Sequence, residues 1–159
     1  MNRRPRFYFT NQTVDRKNAR EIELKIEDAT GLELENPFYD GEAKEVKSLD
    51  SKGTSNLSDA EIVGVDLKKI RESDGIVALV SVDKLNIGSA MEIAICAHSW
   101  GKPVYVISPL TWVQTHPWIT YFGIKVFPNH YAFIKFAKKE WPQDLEVVRP
   151  ERKKVFGIF

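Results

Sequence analysis

The sequence contains very little cysteine. One of its 159 residues is a cysteine, Cys96, which excludes an internal disulfide and any metal site built from several cysteines. An excess of charge of one sign is also missing, because 23 Lys and Arg residues balance 22 Asp and Glu residues and leave a formal net charge of +1. This balance gives no electrostatic reason to expect binding to nucleic acid or to a membrane surface.

Long apolar runs are absent as well. No stretch approaches the roughly 20 residues that a membrane-spanning helix needs, and the basic N-terminus is followed by an apolar run too short for a signal peptide. We therefore expect a soluble, cytoplasmic protein. Its hydrophobic content of 43% suits the core of one domain, and residues 1–159 are predicted to form a single domain.

The common fingerprints of nucleotide-binding and hydrolytic sites are missing too. The sequence has no P-loop, no Gly-x-Gly-x-x-Gly and no Gly-x-Ser-x-Gly motif. Its three histidines, His98, His116 and His130, are not spaced as metal ligands.

The most regular part of the sequence is residues 74–108. The apolar runs 76–82 and 104–107 are typical of strands buried on both faces. Between them, a Ser-x-x-Glu capping box predicts a helix over residues 89–100. Strand, helix and strand in this order predict a right-handed βαβ unit with parallel strands. Ligands bind beyond the carboxyl ends of such strands, so we expect the chemistry at residues 83–92.

Further elements are predicted on both sides of this unit. A second capping box, Ser58 to Glu61, begins a helix that is expected to bury an apolar side formed by Ile62, Val65, Leu67 and Ile70. Strands are predicted at 6–10, 32–35 and 124–127, helices at 16–30, 58–73 and 131–140, a loop at 38–56 and a C-terminal tail at 145–159. The predicted fold is α/β, a doubly wound domain of four to five mostly parallel strands flanked by helices, of flavodoxin or Rossmann-like type.

Glu92 and Asp66 are the carboxylates best placed for chemistry. A glutamate at the third position of a capping box more often only binds the first amide of its helix. In a functional interpretation, the positive end of the helix dipole holds Glu92 ionised, as a carboxylate nucleophile requires. Asp66 interrupts an apolar helix side, and such a residue is more often a solvated surface group. Cys96 is expected to be a small core residue rather than a thiol nucleophile.

Several segments, in order, resemble the nucleoside 2-deoxyribosyltransferases. They are FYF at 7–9, VDRKN at 14–18, LEN at 34–36, VDLKKIRESDGIVALV at 65–80 and GSAMEIAICAHSWGKPV at 88–104. The resemblance covers about residues 6–108, and its most specific part is the spacing of Asp66 and the Gly-x-x-x-Glu motif. It implies that Glu92 is the nucleophile, that Asp66 assists the departing base and that Tyr8 hydrogen-bonds the nucleophile.

The resemblance implies an enzyme that acts on the N-glycosidic bond of a 2′-deoxynucleoside. A covalent glycosyl-Glu92 intermediate would pass the deoxyribosyl group to another free nucleobase, without a metal or cofactor. The family also implies a homo-oligomer in which the tail, 145–159, packs on a neighbouring subunit. Two alternatives are a deoxynucleoside 5′-monophosphate N-glycosidase, which transfers the sugar to water, and a non-catalytic nucleotide-binding module in which Glu92 is only a cap.

Residues expected to bind the substrate surround these carboxylates. Asn86 stands where the transferases place an acidic residue on the sugar 5′-hydroxyl, whereas the related glycosidases use a small hydroxyl residue there for the phosphate. An amide can donate and accept, so it fits either substrate. Helix-start amides already shared with Glu92 are poorly placed for a second anion, which favours the unphosphorylated nucleoside. The other expected substrate contacts are Asp15, Gly88, Ser89, Phe38 and Tyr39, the last two stacking on the base beneath a lid formed by 38–56.

Overall fold

A parallel β-sheet forms the centre of the fold. The computed structural model describes residues 3–36, 39–40, 44–45, 58–83 and 87–142. In chain order the elements are β1 (Arg6–Asn11), a 3-10 turn (Thr13–Asp15), α1 (Arg16–Thr30), β2 (Glu33–Glu35), β3 (Tyr39–Asp40), β4 (Lys44–Glu45), α2 (Asp59–Glu72), β5 (Gly75–Leu79), α3 (Ile87–Ala94), a π-helix (Ile95–Ser99), β6 (Val104–Ile107), α4 (Thr111–Thr115), α5 (Pro117–Tyr121), β7 (Lys125–Phe127) and α6 (His130–Glu140).

The order of the strands in this sheet reverses once. The five strands run β2-β1-β5-β6-β7, and every neighbouring pair is parallel. From β1 the chain goes outward to β2 on one side, and it later returns to β5 on the other side of β1. The predicted doubly wound α/β class is therefore confirmed, with five strands. The reversal point between β1 and β5 is where such sheets bind their ligands.

The two faces of the sheet carry separate cores because successive strand residues point to opposite faces. Phe7, Phe9 and Val77 pack on one face against α1 and α6, while Tyr8 and Ile76 pack on the other with residues of α2 and of the π-helix. All six residues of β1 except the first are buried. The even-numbered side chains of β1 therefore face the helices that carry both candidate carboxylates.

Gly75 allows the start of β5 to lie close to the chain that leads into β6. A Cβ atom at this position would lie 2.3 Å from the Pro103 carbonyl oxygen, which accepts a hydrogen bond from Ile76 N at 3.0 Å. Any larger residue would force these two strands apart. The preceding Asp74 accepts a hydrogen bond from Arg6 N at 2.8 Å, which fixes the start of β1 beside that of β5.

The capping box at the start of α2 is confirmed. Glu61 N donates to Ser58 Oγ at 3.3 Å, and Ser58 N donates to Glu61 Oε2 at 2.8 Å. The predicted apolar side of this helix was partly wrong, because Val65 is 46% exposed while Ile70 is fully buried. The inward stripe is Ile62, Asp66 and Ile70, which are four residues apart and therefore share one face of the helix.

Other boundaries differ from the sequence-based expectation. The central strand ends at Leu79 rather than at residue 82. Within the predicted loop 38–56, the two-residue strands β3 and β4 pair antiparallel, and strands this short leave no periodic signal in the sequence. The tail 145–159 lies outside the described residues, so its predicted packing on another subunit and the extent of the domain stay predictions. In the part of the chain that the structure describes, no helix is long and apolar enough to cross a membrane.

Candidate active site

Two hydroxyl groups of β1 hold the carboxylate of Glu92. The Tyr8 hydroxyl donates to Glu92 Oε1 at 3.0 Å, and Thr10 Oγ1 donates to Glu92 Oε2 at 2.6 Å. Tyr8 is completely buried and Thr10 is 4% exposed. Because residues two apart on a strand point to the same face, β1 delivers one donor to each carboxylate oxygen.

The capping box predicted at Ser89 and Glu92 was wrong. Helix α3 begins at Ile87, so Ser89 lies in its first turn and Glu92 in its second. The Ser89 hydroxyl is 2.7 Å from Thr10 Oγ1 instead of capping the helix. Both side chains of the predicted box contact hydroxyl groups of β1, Ser89 that of Thr10 and Glu92 those of Tyr8 and Thr10.

Burial raises the pKa of Glu92 from 4.5 to about 7. The hydrogen bond from Thr10 lowers this pKa, the negative charge of Asp66 raises it, and the bond from Tyr8 lowers it. The expectation that the helix dipole holds Glu92 ionised is therefore wrong, because desolvation dominates and the side chain lies beyond the first helical turn. Burial therefore moves the ionisation of Glu92 from acidic pH toward neutral pH.

Asp66 reaches the same group of side chains from α2. It is half-buried on the inward face of its helix and not a solvated surface group. Burial raises its pKa, whereas a hydrogen bond with Tyr8 and the charge of Lys69 lower it. The Tyr8 hydroxyl therefore contacts both carboxylates, Glu92 and Asp66.

The Tyr8 hydroxyl has one proton to donate, although it contacts two carboxyl groups. Burial and both carboxylates raise the pKa of Tyr8 far above its usual range, so Tyr8 keeps its single proton. Given to one carboxylate, that proton cannot also serve the other, so the second carboxyl group bonds the Tyr8 oxygen only while it carries a proton itself. One ionised carboxylate beside one protonated carboxyl is the division of roles found in retaining glycosidases.

Of the other residues predicted for the site, the structure describes some and not others. Gly88 and Ser89 lie in the first turn of α3, beside the site. The Asp15 carboxylate follows β1 and is held by Asn18 Nδ2 at 3.0 Å and by the Ser81 hydroxyl. Tyr39 contributes its backbone to β3, while its side chain, like Phe38 and Asn86, lies outside the described residues. Cys96 is fully buried, and burial raises its pKa to about 11, as suits a core residue.

Sequence reasoning missed Thr10 and Gln12. Thr10 could have been found from its position two residues after Tyr8, which places it on the same face of β1. The Gln12 side chain donates to Val82 O at 2.8 Å and accepts from Ser81 N and Val82 N at 3.2 and 3.1 Å. It joins the end of β1 to the segment that follows β5, and no sequence pattern signals such a contact.

The described residues contain no group of three or more His, Cys, Asp and Glu side chains that could hold a metal ion. The geometry offers a half-buried carboxylate with two donors, a second carboxyl group and a tyrosine between them. Such a group can perform nucleophilic and acid-base chemistry at a carbon atom that develops positive charge.

Comparisons with known proteins extend the fold assignment. No protein-family model matches the sequence, and no curated protein matches it. Among solved structures, the fold is similar to a CMP N-glycosidase from Clostridium botulinum. The TM-score is 0.54 and the identity is 12%, over 85% of this chain and 98% of the other. At this identity the similarity supports the shared α/β fold.

Proposed function

We propose that this protein cleaves the N-glycosidic bond of a nucleoside or nucleotide, with Glu92 as the nucleophile. The observation that carries this proposal is the Glu92 carboxylate, held at both oxygens by Tyr8 and Thr10 and placed beside Asp66 at the reversal point of the sheet. The acceptor we infer is a second nucleobase, which makes the protein a nucleoside 2-deoxyribosyltransferase that acts on 2′-deoxynucleosides.

In the first step, a Glu92 oxygen forms a bond to C1′ of the sugar while the bond from C1′ to the base nitrogen breaks. The electron pair of that bond goes to the departing base, and the proton of Asp66 neutralises it. The transition state resembles an oxocarbenium ion, which the negative charge of Glu92 stabilises at short range. The product is a glycosyl ester of Glu92 together with the free base.

In the second step, a nitrogen of the incoming base forms a bond to C1′ and the ester bond to Glu92 breaks. Asp66, now ionised, accepts the proton of the incoming base. Two displacements at C1′ retain its configuration, so the product nucleoside has the stereochemistry of the substrate.

A second candidate function is hydrolysis of a nucleoside 5′-monophosphate. The observation that favours it is the fold similarity to a CMP N-glycosidase. Water would replace the incoming base in the second step and release a free sugar phosphate. The two functions share the first step and differ in the acceptor and in the charge at the 5′ position.

One experiment separates these functions. The protein is incubated with deoxyadenosine or deoxycytidine, each with and without a different free base, and in parallel with the 5′-monophosphates, and the bases and nucleosides are resolved by chromatography. A new nucleoside formed only when free base is present supports the transferase. Base release from a monophosphate without added base supports the hydrolase.

The covalent intermediate gives a second measurement. A 2′-fluorinated nucleoside slows breakdown of the ester, because fluorine destabilises the oxocarbenium-like transition state. Mass spectrometry should then find one added glycosyl group on the peptide that contains Glu92, and none in Glu92→Gln. Failure of every nucleoside and nucleotide to release base in the wild-type protein would refute the proposed function.

A further inference from the structure

We propose that Thr10 is a positioning residue for Glu92 and that Ser89 acts through it, so that a chain of two hydroxyls orients the carboxylate and keeps it ionised for attack. This inference rests on the proposed function for its catalytic meaning. Its central claim, that Thr10 stabilises the ionised form of Glu92, concerns only these side chains and can be measured without a substrate.

The geometry of the chain defines the direction of its hydrogen bonds. Ser89 Oγ lies 2.7 Å from Thr10 Oγ1, which lies 2.6 Å from Glu92 Oε2. A separation of about 2.5–2.7 Å is typical of a hydroxyl that donates to a charged carboxylate. Thr10 has one proton, so while it donates to Glu92 it can only accept from Ser89. When Glu92 is ionised, Ser89 therefore donates to Thr10 and Thr10 donates to Glu92.

Protonation of Glu92 would reverse this order. A protonated Oε2 would donate to Thr10, and the Thr10 proton would then need another acceptor, for which Ser89 Oγ is in reach. Thr10 and Ser89 are only 4% and 9% exposed, so water competes little for either hydroxyl. Among the hydrogen bonds that lower the pKa of Glu92, the one from Thr10 has the larger effect.

The chain also restricts how the carboxylate can turn. Tyr8 binds one oxygen of Glu92 and Thr10 binds the other, and both donors come from the same strand, β1. Ser89 is part of α3, the helix that carries Glu92, so its contact with Thr10 ties the first turn of the helix to β1. A nucleophile held in this way reaches its reacting position with less loss of rotational freedom.

The charged and titratable groups that face Glu92 in the described part of the chain are few. Tyr8 faces it from β1 and Asp66 from α2, with Lys69 acting on Asp66. Substitution of Thr10 leaves all three of these side chains in place. A change in the ionisation of Glu92 after such a substitution therefore reports the hydroxyl chain itself.

The test compares Thr10→Val, Thr10→Ser and Ser89→Ala in the full chain. Thr10→Val keeps the volume and the β-branched shape but removes the donor, whereas Thr10→Ser keeps the hydroxyl. Thr30→Val is the matched control, because Thr30 is equally buried and its hydroxyl donates to Ile26 O in α1, away from the site. The readout is a carbon-13 NMR titration of glutamate side chains without substrate, with the Glu92 signal assigned from its absence in Glu92→Gln.

We expect Thr10→Val to raise the titration midpoint of Glu92 by about one pH unit, Ser89→Ala to raise it less, and Thr10→Ser and Thr30→Val to leave it near the wild-type value. The acid limb of kcat/KM should move by the same amount. A folded Thr10→Val protein with an unchanged Glu92 midpoint overturns the inference. If the midpoint moves but no base is released by any variant, the hydroxyl chain stands and the proposed function fails.

Discussion

The Tyr8 hydroxyl donates to Glu92 Oε1 at 3.0 Å, although the two residues are 84 positions apart in the chain. The parallel sheet makes this contact possible, because β1 and β5 are neighbours and α3 follows β5 directly. Tyr8 also contacts Asp66, so one phenolic proton lies between two half-buried carboxyl groups.

Glu92→Gln should abolish base release while the protein stays folded. Glutamine keeps the shape of the side chain but cannot form the glycosyl ester, so we expect kcat to fall by at least about a thousandfold. The matched control is Glu61→Gln, which removes the charge of an exposed capping glutamate on α2. Initial rates of base release measure both variants. A Glu92→Gln protein that turns over like the wild type would exclude Glu92 as the nucleophile.

The stability of the wild-type protein should depend on the ionisation of Glu92. Its pKa is about 7 in the folded protein and 4.5 when unperturbed, so between these pH values the folded state holds a proton that the unfolded state has released. The free energy of unfolding is therefore highest below pH 4.5 and falls as the pH rises toward 7, by up to about 3 kcal/mol from this one group.

Urea denaturation of wild type and Glu92→Gln over this pH range checks the stability prediction. The glutamine variant has no proton to lose at this position. Its free energy of unfolding minus that of the wild type should therefore increase from pH 4.5 to 7 and stay constant above pH 7. Equal differences in unfolding free energy at all pH values would show that Glu92 titrates normally.

Tyr8→Phe should slow catalysis more than it weakens binding. The ring still fills its buried site, but Glu92 Oε1 loses its donor, and a hydrogen bond to a charged group contributes about 1.5–3 kcal/mol. We expect kcat to fall about 10- to 100-fold with a smaller change in KM. Tyr105→Phe is the control, because Tyr105 packs with the core on the opposite face of the sheet. Equal losses in the two variants would point to packing rather than to the hydroxyl.

The loss of kcat/KM caused by Asp66→Asn should depend on which base leaves. An amide cannot protonate the departing base, so kcat/KM should drop by about 10²–10⁴ for ordinary bases and much less for a base that leaves readily as an anion. Asp59→Asn, an exposed change on the same helix, is the control. A uniform loss across all leaving bases would assign Asp66 to substrate binding instead of proton transfer.

The fold was largely predictable because its signals are local. The apolar runs of β1, β5 and β6 are long enough to identify strands, and their connections determine a parallel order. The tertiary partners were not predictable in this way. Ser58 with Glu61 and Ser89 with Glu92 show the same Ser-x-x-Glu pattern, yet only the first is a capping box. Two hydroxyls on a strand far away in sequence decide the difference.

Burial of charge was equally hard to predict. The sequence of α1 alternates apolar and charged residues, and within it Glu23 is completely buried. Its oxygens accept from Arg20 Nη1 at 2.7 Å and from Asn36 Nδ2 at 2.9 Å. Asn36 Nδ2 also donates to Asn11 Oδ1 at 3.3 Å, so this network joins α1 to the carboxyl ends of β1 and β2. Sequence periodicity describes one helix face and cannot reveal partners contributed by two strands.

Glu23→Ala should therefore be strongly destabilising. It removes the buried carboxylate that accepts from Arg20 Nη1 and from Asn36 Nδ2, and breaking a buried ion pair in this way costs about 3–5 kcal/mol. Glu21→Ala, an exposed change two residues earlier in α1, should alter stability by less than about 0.5 kcal/mol. The double variant Arg20→Met with Glu23→Leu removes both charges and should recover most of the loss, because an apolar pair of similar volume needs no compensation. Urea denaturation of the wild type and these three variants measures the differences, and a Glu23→Ala protein as stable as the wild type would show that this buried pair contributes nothing to the fold.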